Sequence, residues 1–525
     1  MSLTRRTGLV FLCTIAYLGW LAASRFVLVM NDEGIYLDGG LRLLRGEMPY
    51  RDFFTITGPG TFALIAASFR VFGTTILAAR IPVVWDIGII TACLFWLAAK
   101  LSNSMTAALA AFIYVTFSTP VETAVVANHR WDSGAWAILA GTLIIVATEA
   151  ASEAASKNSS AGTPSARFSG ATGFGAGIAA GIAAWCTPPV ALAVAALGAC
   201  LVIYHATRRL FVMYASGVAV AFAAGAIWII RTGALRAMLD SLLWSSSNYL
   251  GANRTWYGSV TDGYANLLRG TSAGEAANTI LLLAFFTLPA TLPLFSATWL
   301  WKRPSRTVVI LLTLGFALIL STYPRWDLNH LTWVSAPFYA LAAGLIARSS
   351  SKMVSVLRKP LAVIALVVAG ACVAMSVQQR LHEAARVTSV GNVHGRPEDL
   401  DVLATVQARV KPSDTLFVFP YRPLLYFVTG AHNPTRYSFL QPGMFSDKEE
   451  AEALSELRAH PPRLVFYSYM SPEAYLRIWP ASDRRRLQMT GLETFLRENY
   501  QETETLAEFK LLEAGTRAAV ITAAH

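Results

Sequence analysis

The sequence predicts a polytopic α-helical membrane protein of about 11 spans, with interfacial helices in the first external loop and a small C-terminal α/β domain. Three observations carry that expectation. Of the 525 residues, 54% are hydrophobic and only 14% are charged, with a mean hydropathy of +0.47, where a soluble domain holds roughly 25% charged residues. Apolar runs near the ~20 residues needed to cross a bilayer recur as far as Met375. Beyond that point short apolar stretches alternate with charged helical ones, as in a soluble domain. The expected division is 1–376 for the membrane domain and 377–525 for an external α/β domain.

The predicted spans run from Gly8 to Met30, Ile76 to Ala98, Met105 to Phe117, Gly134 to Thr148, Ala171 to Trp185, Val190 to Tyr204, Leu210 to Ile230, Thr279 to Trp299, Thr307 to Thr322, Thr332 to Ala347 and Leu361 to Met375. The third to sixth are short or interrupted by Gly and Pro. The first carries Arg5 and Arg6 before an apolar run longer than a cleavable signal needs, so it reads as a retained signal anchor.

The loop after the first span, from Asn31 to Thr75, has its own pattern. Ile35, Leu37, Leu41, Leu43 and Leu44, interleaved with Arg42 and Arg45, describe a short amphipathic helix in the membrane interface that stops near Gly46. A turn at Gly58-Pro59-Gly60 leads to a second apolar helix from Phe62 to Phe72, too short to span. A further external stretch, Arg231 to Asn278, joins the amphipathic ALRAMLDSLLW to the aromatic-rich NYLGANRTWYGSVTDGY. Its rings suit interfacial anchoring or stacking on sugars. The segment SEAASKNSSAGTPSARFSG reads as a flexible linker.

Charge sets the orientation, because short cytoplasmic loops hold the Lys and Arg excess. Alternate loops carry Arg5, Arg6, Lys100, Lys157, Arg167, Arg208, Arg209, Lys302, Arg303, Arg306, Arg348, Lys352, Arg358 and Lys359, 14 basic residues against the two acids Glu149 and Glu153. The N-terminus is therefore expected in the cytoplasm. An odd number of spans then places the C-terminal domain outside, in a multi-pass protein of the cell (inner) membrane. Residues 377–525 hold 17 basic and 18 acidic residues, so the net charge of +11 reports topology and contact with membrane lipids, and no nucleic acid is expected. Cys13, Cys93, Cys186, Cys200 and Cys372 all fall within predicted spans or, for Cys186, directly at the end of one, and none lies in the C-terminal domain, which excludes a disulfide framework or a zinc site.

In the C-terminal domain TLFVFP and PRLVFYSY read as strands, Leu400 to Val410, Asp447 to His460 and Asp483 to Tyr500 as helices, and EFKLLEA and AAVITA as closing strands. The domain has no GxGxxG or P-loop, so a nucleotide site is not expected.

Three external constellations are chemically suggestive. Asp32-Glu33 sits at the membrane edge, where a carboxylate can act as a base toward an acceptor hydroxyl or can cap the helix that follows. Asn128-His129-Arg130-Trp131-Asp132 brings a further acid, Asp132, which either joins Asp32 to orient an acceptor or hold a divalent cation, or caps its own helix. Tyr323-Pro324-Arg325-Trp326-Asp327-Leu328-Asn329-His330 offers Arg325 and His330 as donors to a phosphate, with pairing of Arg325 to Asp327 as the alternative. Within spans, Arg25 and Asp86 are costly unless partnered and are expected to pair with each other. Arg80 stands at the outer start of the second span, placed to reach a lipid phosphate.

The acidic pair, Tyr36, the helix stop at Gly46, Pro49-Tyr50-Arg51-Asp52-Phe53, Gly58-Pro59-Gly60, Phe72-Gly73 and Arg80 together resemble the first external loop of membrane glycosyltransferases of the GT-C fold. The nearest groups are the family 39 protein mannosyltransferases, the aminoarabinose transferases and the RgtA/B/C/D-like proteins. The resemblance implies a polyprenyl-phosphate sugar as donor, a lipid, glycan or protein acceptor, and inverting hexosyl or pentosyl transfer on the external face. It implies Asp32 as catalytic base, Glu33 as its partner and Asp132 as a second acidic position. Arg80, Tyr50, Arg51, Arg325 and His330 are then candidates to bind carrier phosphate or sugar. No cofactor is required, no protein metal site is expected, and a divalent cation is possible. The alternative reading is a transporter or flippase of lipid-linked glycans, but such proteins usually show repeated halves, and no repeat is visible here.

Overall fold

The computed structural model describes residues 1–28, 32–119, 125–156, 164–203, 208–255, 287–302, 304–350, 352–468, 471–506 and 509–515. Helix α1 (Leu3–Leu21) stops well before Met30, the expected end of the first span. The chain leaves the helix there because its next backbone groups are satisfied elsewhere: Phe26 N–H donates to the His394 carbonyl at 2.8 Å, and His394 N–H to the Ser24 carbonyl at 3.1 Å.

The loop after α1 forms both expected helices, α2 (Glu33–Leu44) and α3 (Gly60–Phe72), packed on each other. Gly46 follows α2 at φ +93°, a conformation that favours glycine. The bundle continues with α4 (Ile76–Leu101), capped by Thr75, and α5 (Ser104–Ser118), capped by Asn103. Then come α6 (His129–Ser156), α7 (Pro164–Cys186), α8 (Ala191–Ile203), α9 (Arg208–Arg231) and the amphipathic α10 (Leu235–Trp244). Helices α7 and α9 approach closely at Gly177 and Gly217. A Cβ on Gly177 would lie 2.1 Å from the Tyr214 carbonyl oxygen, and one on Gly217 2.2 Å from that of Phe174. Small residues permit such packing in lipid, where no hydrophobic effect draws helices together.

Residues 287–297 are helical, but the first part of the expected span from Thr279, residues 279–286, and the aromatic loop beyond Thr255 lie outside the described residues. Helix α11 (Arg306–Ser321) is followed by α12 (Leu328–Val334) and α13 (Ala336–Arg348). The expected span from Thr332 is thus divided at Ser335, where Pro337 opens a new first turn. The last membrane helix, α14 (Lys352–His382), continues past residue 376 and runs directly into the C-terminal domain.

Among the described residues four helices are long and apolar enough to cross a membrane: Ile76–Leu101, His129–Glu153, Arg208–Arg231 and Arg358–His382. Five shorter apolar helices accompany them: Gly60–Phe72, Ser104–Ser118, Pro188–Ile203, Arg306–Ser321 and Ala336–Arg348.

The C-terminal domain opens with a hairpin, β1 (Ala384–Thr388) and β2 (Gly391–Gly395), then α15 (Pro397–Arg409), β3 (Leu416–Phe419) and α16 (Leu424–Thr429). It continues with α17 (Asp447–Ala459), β4 (Leu464–Ser468), α18 (Pro472–Ile478), α19 (Thr490–Asn499), β5 (Tyr500–Leu506) and β6 (Phe509–Ala514). The four-stranded sheet has the order β3-β4-β6-β5, with β3 and β4 parallel, Leu416 opposite Leu464, and the other pairs antiparallel. The helix expected from Asp483 begins only at Thr490, and AAVITA lies outside the described residues.

This domain lies directly on the loop that holds α2 and α3. At Gly34 the backbone of α16 comes so near that a Cβ would sit 2.0 Å from the Leu424 nitrogen. Phe54 N–H donates to the Arg436 carbonyl at 2.8 Å, Arg436 Nη2 to the Tyr50 carbonyl at 2.6 Å, and Arg45 Nη2 to the Gly430 carbonyl at 2.9 Å. Helix α2 therefore does not show water an open polar face, as an interfacial helix would. Its Asp38 is buried, takes a hydrogen bond from Ser438 Oγ at 3.2 Å, and is pushed up to about 6 by desolvation, which Arg42 offsets in part.

The expected pairing of Arg25 with Asp86 does not occur. Arg25 Nε meets Glu383 Oε1 at 2.5 Å at the end of α14, beside His394, whose Nδ1 lies 2.9 Å from Ser24 Oγ. Asp86 instead lies within electrostatic reach of Asp132.

Candidate active site

Asp32 stands at the N-cap position of α2 in helical conformation, and its side chain makes no capping hydrogen bond. It reaches the C-terminal domain instead, where the Tyr421 hydroxyl donates to Oδ1. Tyr421 follows β3, the edge strand of the sheet, and its ring lies 5.4 Å from Phe439 and 6.1 Å from Trp479. Burial, with the nearby Asp32 charge, pushes its phenol well above the ordinary value, so the hydroxyl stays a donor.

Glu33 turns the other way. Its carboxylate takes two hydrogen bonds from Arg80, Nε to Oε1 at 2.6 Å and Nη2 to Oε2 at 2.7 Å, and a third from the Ala127 N–H at 3.0 Å. Arg80 Nη1 donates to the carbonyls of Ala22, at 2.9 Å, and Arg25. With both side chains buried, this arrangement joins the starts of α2 and α4 and the approach to α6.

Asp132 also points inward. Its Oδ2 accepts from Thr61 Oγ1 at 2.5 Å, and its carboxyl lies within electrostatic reach of Asp86 on α4. It therefore ties α3 to α6, and it lies within electrostatic reach of Tyr36, as Asp32 does. Among the described residues no group of three or more His, Cys, Asp or Glu is placed to hold a metal ion.

Arg130, two residues earlier, is differently situated. It is buried; Nη1 donates to the Ser321 carbonyl at 2.9 Å, while Nε has no hydrogen-bond partner among the described residues. A buried guanidinium with an unused donor is costly unless a ligand completes it. Tyr36 on α2 lies within electrostatic reach of Asp32, Tyr249, Arg130 and Asp132, and burial together with Asp32 raises its phenol well above the ordinary value. Its ring is 5.7 Å from that of His129, whose Nδ1 is 2.7 Å from Thr187 Oγ1. Tyr249, at the end of a π-helical turn Ser245–Tyr249, is surrounded by the charges of Arg130, Arg325, Asp32 and Asp327. Irregular turns of this kind are frequent at functional sites.

The late loop supplies the far wall. Arg325 Nε meets Asp327 Oδ2 at 2.9 Å, and His330 Nδ1 lies 2.7 Å from Asp327 Oδ1, which also caps α12 by accepting the His330 N–H at 3.0 Å. Burial alone would raise Asp327, but His330 and Arg325 hold it well below the usual carboxylate range. Arg325 is thus paired, and it remains one of the cations around Tyr249.

Tyr50 and Arg51 lie apart from this cluster. Tyr50, buried at φ +70°, donates its hydroxyl to the Thr57 carbonyl at 2.6 Å and shapes the loop. Arg51 is exposed, paired with Asp52 at 2.7 Å and bonded to the Thr232 carbonyl at 2.6 Å.

No protein-family model and no curated protein sequence matches the chain. Solved structures do. ArnT from Cupriavidus metallidurans bound to undecaprenyl phosphate superposes with a TM-score of 0.55 at 13% identity, covering 97% of this chain and 98% of that one. The same protein in the apo state gives 0.56 at 12% identity, with coverage of 98% and 99%. The archaeal oligosaccharyltransferase AglB from Archaeoglobus fulgidus, in complex with an inhibitory peptide and a dolichol-phosphate, gives 0.53 at 13% identity, over 97% of this chain and 74% of that one. The chain has the GT-C fold.

At such identities the likeness is one of fold. Because the ArnT superposition extends over nearly the whole chain, the GT-C likeness takes in the C-terminal α/β domain as well as the helical bundle. Within the GT-C fold described here, Tyr36 on α2, Tyr249, Arg325 of the late loop and Tyr421 of the C-terminal domain gather around Asp32. Sequence reasoning singled out Asp32, Arg325 and His330 but passed over Arg130, Tyr249 and Tyr421. Arg130 was inside a noted motif and Tyr249 inside the aromatic stretch, whereas Tyr421 follows an ordinary strand with no local signal.

Proposed function

We propose that this protein is a membrane glycosyltransferase that moves a sugar from a polyprenyl-phosphate donor to an acceptor hydroxyl. The observation that carries the reading is the convergence, in a GT-C fold, of one exposed-side carboxylate, Asp32, with a buried and incompletely bonded cation, Arg130, around Tyr36 and Tyr249.

The chemistry follows from the charges. Asp32 takes the proton of the acceptor hydroxyl as its oxygen bonds to the anomeric carbon from the face opposite the carrier. The bond from that carbon to the phosphate oxygen breaks, its electron pair leaving with the polyprenyl phosphate, and the configuration inverts. Arg130, with Arg325 and His330, stabilises the charge gathering on the departing phosphate, a task suited to preorganised donors in a water-poor site. Glu33, Arg80 and Asp132 are assigned to holding the frame. Tyr50 and Arg51 shape the loop.

The membrane arrangement belongs to the same reading: the shorter apolar helices complete about 11 spans, the N-terminus is cytoplasmic and the domain after His382 is external. Asp32→Asn, purified as an inserted and folded protein, is expected to lower transfer from a polyprenyl-phosphate sugar by roughly 100-fold or more, the usual worth of a general base. Unchanged turnover sinks the mechanism. Movement of the lipid-linked sugar across vesicles without any transfer by the wild type identifies a flippase instead.

A further inference from the structure

We infer that Tyr421 is a positioning residue of the active site: its hydroxyl fixes one oxygen of Asp32 and leaves the other to face the acceptor, so that the C-terminal domain is part of the catalytic apparatus. The inference rests on the glycosyltransferase reading for its chemistry, and on geometry alone for the contact.

A carboxylate at the start of a helix turns about two side-chain bonds, and a base that turns presents its lone pair to the acceptor only part of the time. Asp32 is relieved of that freedom from outside its own helix. The Tyr421 hydroxyl donates to Oδ1, and Tyr421 is itself 5% exposed and held between the rings of Phe439 and Trp479. Its backbone is equally fixed. Pro420 accepts the Leu440 N–H at 2.9 Å, and the Tyr421 carbonyl accepts from Arg422 Nη1 at 3.1 Å.

The location has a physical logic. Tyr421 lies just beyond the carboxyl end of β3, which runs parallel to β4, and open α/β sheets present ligand-facing residues beyond the carboxyl ends of their parallel strands. The contacts of Arg45, Tyr50, Phe54, Asp38 and Gly34 with this domain hold the end of β3 over the base. A phenol suits the task better than a charged donor, because it keeps its proton and leaves the charge of the carboxylate intact for proton abstraction.

Tyr421→Phe, in the full-length protein in nanodiscs with a polyprenyl-phosphate sugar donor, removes the hydroxyl and keeps the ring. It is expected to lower kcat roughly tenfold or more while the donor KM stays within about twofold. Phe439→Leu loosens the same packing and retains the hydroxyl; it is expected to lower the Tm and leave the ratio of kcat to donor KM near that of the wild type. If Tyr421→Phe transfers as the wild type does, or if Phe439→Leu reproduces its effect, the inference falls. A measurement independent of transfer separates it from the function itself. Labelling of Asp32 by a water-soluble carbodiimide, read by peptide mass spectrometry, is expected to run several-fold faster in Tyr421→Phe because the carboxylate is no longer occupied. Equal labelling rates overturn the contact even if the wild type proves to transfer nothing.

Discussion

Glu33 and Arg80 face each other in a two-point ion pair, with both side chains buried and the two residues 47 positions apart in the chain. Next door, Asp32 points the other way and meets Tyr421. Adjacent acids of the same chemical type are therefore given separate tasks by what stands opposite each of them.

A buried pair broken on one side leaves a charge without compensation, which costs about 3 to 5 kcal/mol, whereas replacing both partners by apolar groups is often neutral. Arg80→Met is expected to destabilise strongly, and Glu33→Leu combined with Arg80→Met to recover most of the loss. Thermal unfolding of the two single variants and the double variant in detergent checks this. Additive losses would mean that the pair is not a unit.

Arg130 carries a buried Nε with no partner among the described residues. Arg130→Gln is expected to lower transfer roughly 100-fold, as loss of a charge-stabilising donor does. Arg130→Lys should restore part of the activity through its point charge, but not the forked geometry. Steady-state kinetics decides it, and wild-type rates in Arg130→Gln would remove this residue from the phosphate.

Asp38 predicts a pH dependence of the seam between α2 and the C-terminal domain. Burial raises its carboxyl to about 6 in the fold, against ~3.9 in the unfolded chain. The folded state therefore binds the proton more tightly, and the contribution of Asp38 to stability falls as pH rises from about 4 to about 6 and stays low above that, by ~3 kcal/mol at most. Asp38→Asn is expected to be more stable than the wild type at pH 7 and to lose that advantage near pH 4.5. His394, lowered to about 4 by burial and neighbouring arginines, acts in the opposite sense, since its contribution is lost as pH falls through the same range. The comparison is therefore of Tm between variant and wild type at each pH.

Gly34 admits the backbone of Leu424 at a distance that no side chain tolerates. Gly34→Ala is expected to push the C-terminal domain off α2 and reduce transfer at least as much as Tyr421→Phe does. Faster proteolysis between α14 and β3, with the membrane helices still inserted, reports the displacement. Unchanged proteolysis would contradict close packing at this point.

The loop after α1 was legible because its signals are local. The apolar spacing from Ile35 to Leu44 gives α2, Gly46 ends it, and Gly58-Pro59-Gly60 turns the chain into α3. The partners were not legible. Arg80 looked available for phosphate because nothing nearby in sequence names Glu33 as its mate, and Arg25 found Glu383 across the whole bundle rather than Asp86. Strand β5 was missed for a different reason. QETETL is polar because, among the described residues, it forms an edge of the sheet, where charged residues guard against association.

The contact between Tyr421 and Asp32 spans 389 residues, and it imposes an order on biosynthesis. Ribosomes add roughly 5 to 20 residues per second, so the base leaves the exit tunnel on the order of 20 to 80 seconds before the phenol that aligns it. Throughout that interval the helices that follow Asp32 are already being made. On the proposed reading, a base aligned by a domain made after it reaches its full rate only once that domain has folded against it.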